Sequence, residues 1–408
     1  MRNISRAPPG ETGTPPLKNN HSREFARQGR RGYASLRHPD ALANAHPNER
    51  LTGDTTCGDS MKPLPADDLQ HVLQHAPALA ELRGARLFIT GGTGFFGKWL
   101  LETFAYANRE LALNAKTVVL SRNPGKFLAQ MPHLAAEDCI EFVQGDVTSF
   151  AFPPGDFSHI IHAATETTTR LGRPQPLDTL DTIVSGTRRV LDLARDRHVQ
   201  AMLLTSSGAV YGRQPPEMTH IPEDYPGAPD PLDPNAAYGN GKRFAEHLCA
   251  AYHAQYNVPS KIARCFAFVG PHLPLEAHFA IGNFIRDALA GGPIVVQGDG
   301  TPYRSYLYAA DLAVWLWEIM VHGQIMRPYN VGSSEAISIR DLAHLISASR
   351  GQTVRVAQEP NPSTPAVRYV PSTTRIHQEM VMGCQIDASE AIARTIQWQI
   401  SQGPTHGQ

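Results

Sequence analysis

Two side chains that could move protons, Tyr238 and Lys242, stand four residues apart in the segment "AAYGNGKRFAEHLCAAYHAQY". The segment predicts a helix, and this spacing places both side chains on the same helical face. A phenol with a pKa of about 10 is a poor base at neutral pH, but a neighbouring ammonium group favours its phenolate form. The pair therefore predicts a tyrosine that exchanges a proton with a carbinol or a ketone.

A third candidate, Ser207, belongs to the segment "LLTSSGAVYG", which runs from Leu203 to Gly212. Its apolar start predicts a buried strand, and the three hydroxyl residues that follow indicate a polar site at the carboxyl end of that strand. The next two positions are small, because Gly208 has no side chain and Ala209 has only a methyl group. Neither position can give or take a proton.

A glycine-rich turn in "FITGGTGFFG" lies between a predicted strand and a predicted helix. Glycines permit a tight turn and let the backbone approach a pyrophosphate, which binds at the free N–H groups of a helix N-terminus. The alternative is a glycine-rich turn without a ligand. The order of strand, turn and helix favours a dinucleotide site, whose predicted contact residues are Gly91, Gly94, Phe95, Phe96 and Gly97.

The end of the second predicted strand, "TVVLSRNPGKF", bears on the choice of dinucleotide. Ser121 and Arg122 stand where a carboxylate would accept hydrogen bonds from a ribose 2′-hydroxyl. A hydroxyl and a guanidinium can bind a 2′-phosphate, so NADP(H) is favoured and NAD(H) is the alternative, unless Arg122 is only a solvated loop charge. In "QGDVTS", Asp146 and Val147 are predicted to contact the adenine, although an aspartate in a turn can simply cap it.

The elements that must position these residues follow an alternating pattern. Short apolar runs alternate with longer helical segments, which predicts a parallel sheet covered by helices on both faces. The predicted fold class is α/β, a doubly wound Rossmann-type parallel sheet with a smaller mixed α/β lobe over its carboxyl edge. We expect a disordered N-terminal extension over 1–62, an NAD(P)-binding domain over 63–265, and a mainly substrate-binding lobe, interleaved with that domain, over 266–400.

Composition narrows the class of protein. The 408 residues carry a formal net charge of −1, which supplies no overall field for a nucleic acid. The five cysteines form no CxxC pair. His220, His272 and His278 are scattered in predicted loops, and no two of them have the spacing of a metal site. No apolar run approaches the roughly 18 residues of a membrane-spanning helix. We expect a cytoplasmic protein with reduced thiols. Met61, which precedes a helical segment, is a candidate for the residue at which translation begins.

Together the motifs resemble those of the extended short-chain dehydrogenase/reductases that act on nucleotide sugars. The resemblance spans roughly residues 85 to 385 and rests on the ordered segments "TGGTGFFG", "GDV", "HAA", "TSSGAVYG", "YGNGK", "FVGP", "GDGTPYRSYLYAADLA" and "YNVGSSEAISI". It implies that Ser207 hydrogen-bonds the reacting oxygen of the substrate and that Tyr238 is the acid/base. It also implies that Lys242 lowers the pKa of the tyrosine and holds the nicotinamide ribose.

The same resemblance implies further contacts and a partner. Ala163 and Ala164 match the backbone wall beside the cofactor. Arg304 matches an arginine that clamps a nucleotide diphosphate, and Asn283 matches an amide beside the substrate's phosphates. Arg304 could instead be a surface residue, and Asn283 could cap a helix. The implied partner is a nucleotide-diphosphate sugar, and the implied assembly is a homodimer. The acidic pair Glu223 and Asp224, in the proline-rich loop "HIPEDYPGAPDPLDPN", is expected to be solvated rather than catalytic.

The residues after Ser207 separate the reactions that such a scaffold supports. Relatives that eliminate water carry an acid/base pair at the positions of Gly208 and Ala209, and relatives that eliminate carbon dioxide carry a glutamate at the position of Ala209. Both reactions are therefore disfavoured. Hydride transfer needs only the serine, the tyrosine and the lysine. We therefore expect a 4-keto nucleotide-sugar reductase, with a C4 epimerase that retains NAD as the alternative. A non-catalytic dinucleotide sensor would not need the tyrosine and lysine, and a reductase of small ketones would not need Arg304.

Overall fold

The computed structural model describes residues 60–165, 175–276 and 279–403. The chain divides into two units, Met1–Thr55 and Thr56–Gln408, and all the elements below belong to the second unit. The predicted N-terminal extension falls almost wholly outside the described residues.

Fourteen strands are formed within these ranges. In chain order they are β1 Arg86–Thr90, β2 Lys116–Ser121, β3 Ile140–Gln144, β4 His159–His162, β5 Ala201–Ser207, β6 Ser260–Cys265, β7 Phe268–Val269, β8 Ile294–Val296, β9 Tyr303–Arg304, β10 Leu307–Tyr308, β11 Pro328–Val331, β12 Ile337–Ser338, β13 Val354–Val356 and β14 Arg368–Tyr369.

Twelve α-helices connect and flank the strands in the same ranges. They are α1 Ala66–His75, α2 Phe95–Glu110, α3 Pro124–Gln130, α4 Pro132–Ala135, α5 Pro176–Leu180, α6 Gly186–Asp196, α7 Ala237–Tyr256, α8 Ala280–Leu289, α9 Ala309–His322, α10 Ile339–Ala348, α11 Thr374–Met380 and α12 Ala388–Ser401. A π-helical turn, Asp181–Ser185, joins α5 to α6, so helical backbone runs without a break from Pro176 to Asp196.

Seven strands form one parallel sheet in the order β11-β6-β5-β4-β1-β2-β3. The order reverses at β1, since β2 and β3 lie on one side of it and β4 to β6 on the other. This is the doubly wound arrangement, and the predicted fold class is confirmed. The last strand added, β11, comes from the C-terminal part of the chain and pairs with β6, so that part contributes an edge of the main sheet.

Apolar helices cover both faces of the sheet. On one face, α2 and α9 contribute Trp99, Phe104 and Trp317, all fully buried, and the rings of Phe104 and Trp317 stack with centroids 6.3 Å apart. On the other face, α6 contributes Val190 and Leu191. Burial of each large apolar side chain is worth about 1.5–3 kcal/mol, so the two layers hold the strand ends at fixed positions.

The remaining short strands form a smaller mixed lobe. Its three-stranded sheet has the order β12-β9-β14, with β9 antiparallel to β12 and parallel to β14. This pairing sets Tyr369 opposite Arg304 and brings both toward the carboxyl end of β5. Among the helices of the described ranges, none is long and apolar enough to cross a membrane.

Candidate active site

Ser207 is the last residue of β5, and all seven residues of that strand are buried. The chain then turns into a short 3₁₀ helix, Gly208–Tyr211, which Ser207 caps by accepting a hydrogen bond from the Ala209 N–H at 3.1 Å. Ser207 therefore lies at the predicted strand end. Its backbone is held by β5 on one side and by the 3₁₀ helix on the other.

Tyr238 enters from the first turn of α7 and meets Ser207. A hydrogen bond from the Ser207 hydroxyl favours the phenolate, but burial of the phenol outweighs it and raises the pKa of Tyr238 to about 12. The direction is opposite to the one that the family resemblance implies. At neutral pH this phenol holds its proton and can donate it.

Lys242 lies one turn further along α7 and is 2 % exposed. Its ammonium group donates a hydrogen bond to the Thr205 carbonyl at 2.8 Å and lies 5.9 Å from the centroid of the Tyr238 ring. Burial lowers the pKa of Lys242 to about 8. The predicted proximity of Tyr238 and Lys242 is present, but the direct hydrogen bond of the lysine goes to the backbone of β5.

Two aromatic residues that sequence reasoning missed also reach this strand end. The rings of Phe266 and Tyr369 pack with centroids 4.7 Å apart. A methyl group built on Gly208 would lie 2.7 Å from the Tyr369 hydroxyl and 2.7 Å from the Phe266 ring, so glycine is required there by these neighbours. No local motif marks Tyr369, because only the pairing of β14 with β9 carries it to the site.

The glycine turn after β1 has the geometry of a pyrophosphate cradle. Gly91 has φ +74°, and a Cβ there would lie 2.4 Å from the Ala163 carbonyl carbon. A Cβ on Gly97 would lie 2.3 Å from Gly92, so α2 packs directly on the turn. Gly94 precedes the first residue of α2, is exposed, and no side chain caps the N–H groups of the first helical turn. These residues fit a dinucleotide whose pyrophosphate lies on the helix N-terminus.

The aromatic residues of the first turn are half-buried beside the cradle. Phe96 packs edge-on against Phe268 at 5.1 Å, and Phe95 lies 5.9 Å from Phe96. Across the turn, the Ala163 N–H donates to the Thr90 carbonyl at 3.0 Å, and the Ala164 N–H donates to the Thr90 hydroxyl at 3.3 Å. The ends of β1 and β4 are thereby held together behind the cradle.

Beyond the cradle, the residues at the end of β2 face Asp146. The Ser121 oxygen accepts a hydrogen bond from the Asn123 N–H at 3.2 Å. Asp146 accepts hydrogen bonds from the backbone and hydroxyl of Thr148 at 2.9 and 2.6 Å, and these bonds, with the charge of Arg122, lower its pKa. Asp146 thus does cap a turn, as the alternative interpretation holds.

The remaining predicted contact residues, Val147, Arg304 and Asn283, have different surroundings. Val147 is buried in the layer under α6, against Gly186. The Arg304 guanidinium donates to the Tyr303 carbonyl at 2.8 Å, and the pairing of β9 with β14 sets Arg304 opposite Tyr369, beside the site. Asn283 lies inside α8 and accepts a hydrogen bond from Arg286 at 3.3 Å. The alternative that Asn283 caps this helix is wrong, because α8 begins at Ala280.

The expectation that Glu223 is solvated is wrong. The side chain is 7 % exposed, not solvated. It accepts a hydrogen bond from the Asn330 N–H at 3.0 Å and lies 3.8 Å from the Arg375 guanidinium. Burial raises its pKa. Its contacts join the proline-rich loop to β11, which is a structural role.

Comparisons with known proteins agree with this geometry. The model of the NAD dependent epimerase/dehydratase family matches residues 87–332. UDP-glucuronic acid decarboxylase 1 of Danio rerio is 28% identical over 370 residues, which cover 90% of this chain and 85% of the relative.

Two solved structures show the same fold. The dTDP-glucose 4,6-dehydratase from Streptomyces venezuelae with NAD and TYD bound has a TM-score of 0.66 and 24% identity, covering 78% of this chain and 97% of that chain. The UDP-N-acetylglucosamine 4-epimerase from Methanobrevibacter ruminantium M1 also has a TM-score of 0.66, with 18% identity and coverages of 78% and 99%. The resemblance noted in the sequence is confirmed. The chain belongs to the NAD dependent epimerase/dehydratase family and is an extended short-chain dehydrogenase/reductase.

Proposed function

We propose that this enzyme reduces a 4-keto nucleotide sugar to the corresponding alcohol. The observation that carries the proposal is the phenol of Tyr238 beside Ser207, at a strand end where Gly208 and Ala209 offer no acid or base. Reduction of a ketone needs a proton donor and a polarising hydrogen bond at the carbonyl oxygen. A phenol with a pKa of about 12 is a donor throughout the neutral range.

The proposed division of labour uses only side chains around β5. A reduced nicotinamide dinucleotide, when bound, supplies the hydride. Ser207 donates a hydrogen bond to the ketone oxygen and polarises it. Tyr238 transfers its proton to that oxygen as the carbon becomes a carbinol. Lys242 fixes the end of β5 through the Thr205 carbonyl, and its charge favours the phenolate that remains.

Loss of carbon dioxide is the competing reaction that the relatives suggest. The Danio rerio relative is named as a UDP-glucuronic acid decarboxylase. At the strand end of this chain, however, the side chains that act electrostatically on Tyr238 and Tyr369 include the Cys265 thiol and the Arg304 guanidinium, which are not carboxylates. This favours hydride transfer without elimination.

C4 epimerisation is the second candidate, because it uses the same three groups and one of the solved neighbours is named as a 4-epimerase. That reaction starts by removing the proton of a carbinol, which requires the phenolate. Burial raises the pKa of Tyr238, which makes this first step harder than the donation of a proton to a ketone.

The proposed substrate carries a nucleoside diphosphate, and the proposed cofactor is NADP(H). Arg304 is the candidate ligand for the diphosphate because a guanidinium can bind two phosphate oxygens at once. Ser121 accepts a backbone hydrogen bond, which leaves its own proton to donate to a 2′-phosphate, and Arg122 supplies positive charge there. If this is right, Arg122→Ala weakens NADPH binding in calorimetry by about tenfold and NADH binding little. Equal losses for both cofactors would contradict the preference.

The proposed assembly is a homodimer. Apolar side chains of α5, α7 and the loop that precedes α7 line one open groove, and Leu177, Leu232 and Phe244 are exposed there. A second copy of the chain would cover this surface by a two-fold contact.

The deciding experiment incubates the purified protein with NADPH, NADH or NAD and a panel of UDP-, dTDP-, CDP- and GDP-sugars, including 4-keto forms. Absorbance follows cofactor oxidation, and mass spectrometry identifies the product. Oxidation of NADPH with a 4-keto substrate supports the reductase. An isobaric product without net redox change supports the epimerase. Loss of water or of carbon dioxide would overturn both.

A further inference from the structure

We propose that Tyr369 is a positioning residue that holds the Ser207 hydroxyl toward the reacting oxygen of the substrate. This role rests on the proposed reduction, in which Ser207 polarises the ketone. Tyr369 belongs to the C-terminal lobe, and no feature of the β5 or α7 segments indicates this role.

The backbone around Tyr369 is held on both sides. The next residue, Val370, accepts a hydrogen bond from the Ile221 N–H at 2.9 Å and donates its own N–H to Gln214 at 3.0 Å. Ser372 donates to the Ile221 carbonyl at 2.9 Å. With Tyr369 also paired to Arg304 across β14 and β9, the strand has little freedom to move the phenol away.

The ring is directed at the end of β5 by contact. Phe266 supports it from one side at 4.7 Å between centroids. Its hydroxyl occupies the space that a side chain at Gly208 would need, 2.7 Å from the position of that Cβ. The hydroxyl therefore lies against the backbone that immediately follows Ser207.

Ser207 consequently lies close to two phenols, because its hydroxyl favours the phenolate form of both Tyr238 and Tyr369, and the Tyr369 hydroxyl lies beside the adjacent Gly208. Its oxygen already accepts the Ala209 N–H. A hydroxyl has one proton and two acceptor sites. Burial raises the pKa of Tyr369, so this phenol keeps its proton and donates it to the second acceptor site of Ser207. The serine then has only its own proton left to donate. It directs that proton to Tyr238 here and, in the proposed reduction, to the substrate oxygen that also receives the proton of Tyr238.

The contact itself can be tested without any activity. Tyrosines carrying an isotope label at the phenol carbon give NMR signals that report hydrogen bonding, and the Tyr369 signal is assigned by its loss in Tyr369→Phe. Ser207→Ala is expected to shift the Tyr369 signal and to leave the Tyr303 signal in place. Tyr303 serves as the reference because it lies on the paired strand β9. An unchanged Tyr369 signal would overturn the proposal, whatever reaction the enzyme catalyses.

Kinetics of the holoenzyme test the role. Tyr369→Phe keeps the ring and removes one neutral hydrogen bond, so kcat is expected to fall roughly five- to tenfold with KM nearly unchanged. Tyr303→Phe removes a hydroxyl from the neighbouring strand and is expected to leave kcat unchanged. Circular dichroism and thermal melting confirm that each variant is folded.

A double-mutant cycle distinguishes positioning from general support. If Tyr369 acts through Ser207, Tyr369→Phe has no further effect on kcat in the Ser207→Ala background. Equal fold-losses in both backgrounds would show that the phenol acts independently of the serine and would overturn the proposal. If the wild-type protein turns over no 4-keto sugar, the proposed function fails, and the NMR result still decides whether Tyr369 holds Ser207.

Discussion

At the scale of single residues, the chemistry proposed for this enzyme depends on the proton of Tyr238. Tyr238→Phe removes that proton and leaves the ring, so turnover is expected to fall by about a hundredfold to ten-thousandfold, the usual range for loss of a general acid. Cofactor binding, measured by calorimetry, should stay within about twofold because the glycine cradle is untouched. Turnover close to that of the wild type would remove Tyr238 from the mechanism.

The pKa of Lys242 predicts that kcat decreases at alkaline pH. A lysine is charged below its pKa and neutral above it, and burial lowers the pKa of Lys242 to about 8. If its charge supports the phenolate left on Tyr238, kcat falls through a single titration near pH 8, far below the pKa of the tyrosine itself. The pH profile of kcat checks this, with Lys242→Arg as the rescue variant. Because arginine stays charged, its residual activity should show no such limb; a limb near pH 8 in that variant would assign the titration elsewhere.

At the scale of elements, a substitution at the start of α2 is expected to weaken cofactor binding without affecting folding. A methyl group at Gly94 would meet only the Gly91 carbonyl oxygen, at 3.4 Å, but it would stand in front of the uncapped N–H groups. Gly94→Ala is therefore expected to keep the melting temperature within about 2 °C and to weaken dinucleotide binding roughly tenfold or more. Gly125→Ala, in the first turn of α3 with its nearest neighbour at 3.9 Å, is the matched control and should change neither. Tight binding by Gly94→Ala would place the pyrophosphate elsewhere.

The elements also explain what could be predicted from the sequence. Ser207 and Tyr238 are recognisable because each stands at a fixed offset within one local pattern, a strand end or a helical spacing. Tyr369 has no such offset, since a two-residue strand carries it to the site through pairing with β9. The expectation for Glu223 is wrong for the same reason. The composition of its loop predicts that the side chain is exposed to solvent. The residues that contact it in the structure, Asn330 and Arg375, come from distant segments of the chain.

At the scale of the whole molecule, the carboxyl edge of the main sheet collects groups from both parts of the chain. The cradle after β1 and the hydroxyl after β5 come from the predicted dinucleotide-binding part. Arg304 and Tyr369 come from the C-terminal lobe, yet β11 of that same region completes the main sheet. The site therefore requires the lobe to be folded onto the sheet, and mutations that loosen β14 should reduce activity before they unfold the sheet.

The groove beside α5 and α7 leads to the last prediction, which concerns assembly. Leu177 and Phe244 are 74% and 48% exposed in the described chain, and monomeric proteins seldom leave such neighbouring apolar side chains uncovered. We expect light scattering after gel filtration to give a dimer for the wild type and a monomer for Phe244→Glu, because a two-fold contact would bury the new carboxylate from both copies. Ile400→Glu alters a similarly exposed apolar residue, 53% exposed at the end of α12, and should remain a dimer. A dimeric Phe244→Glu variant, or a monomeric wild type, would show that this groove is not the contact between copies.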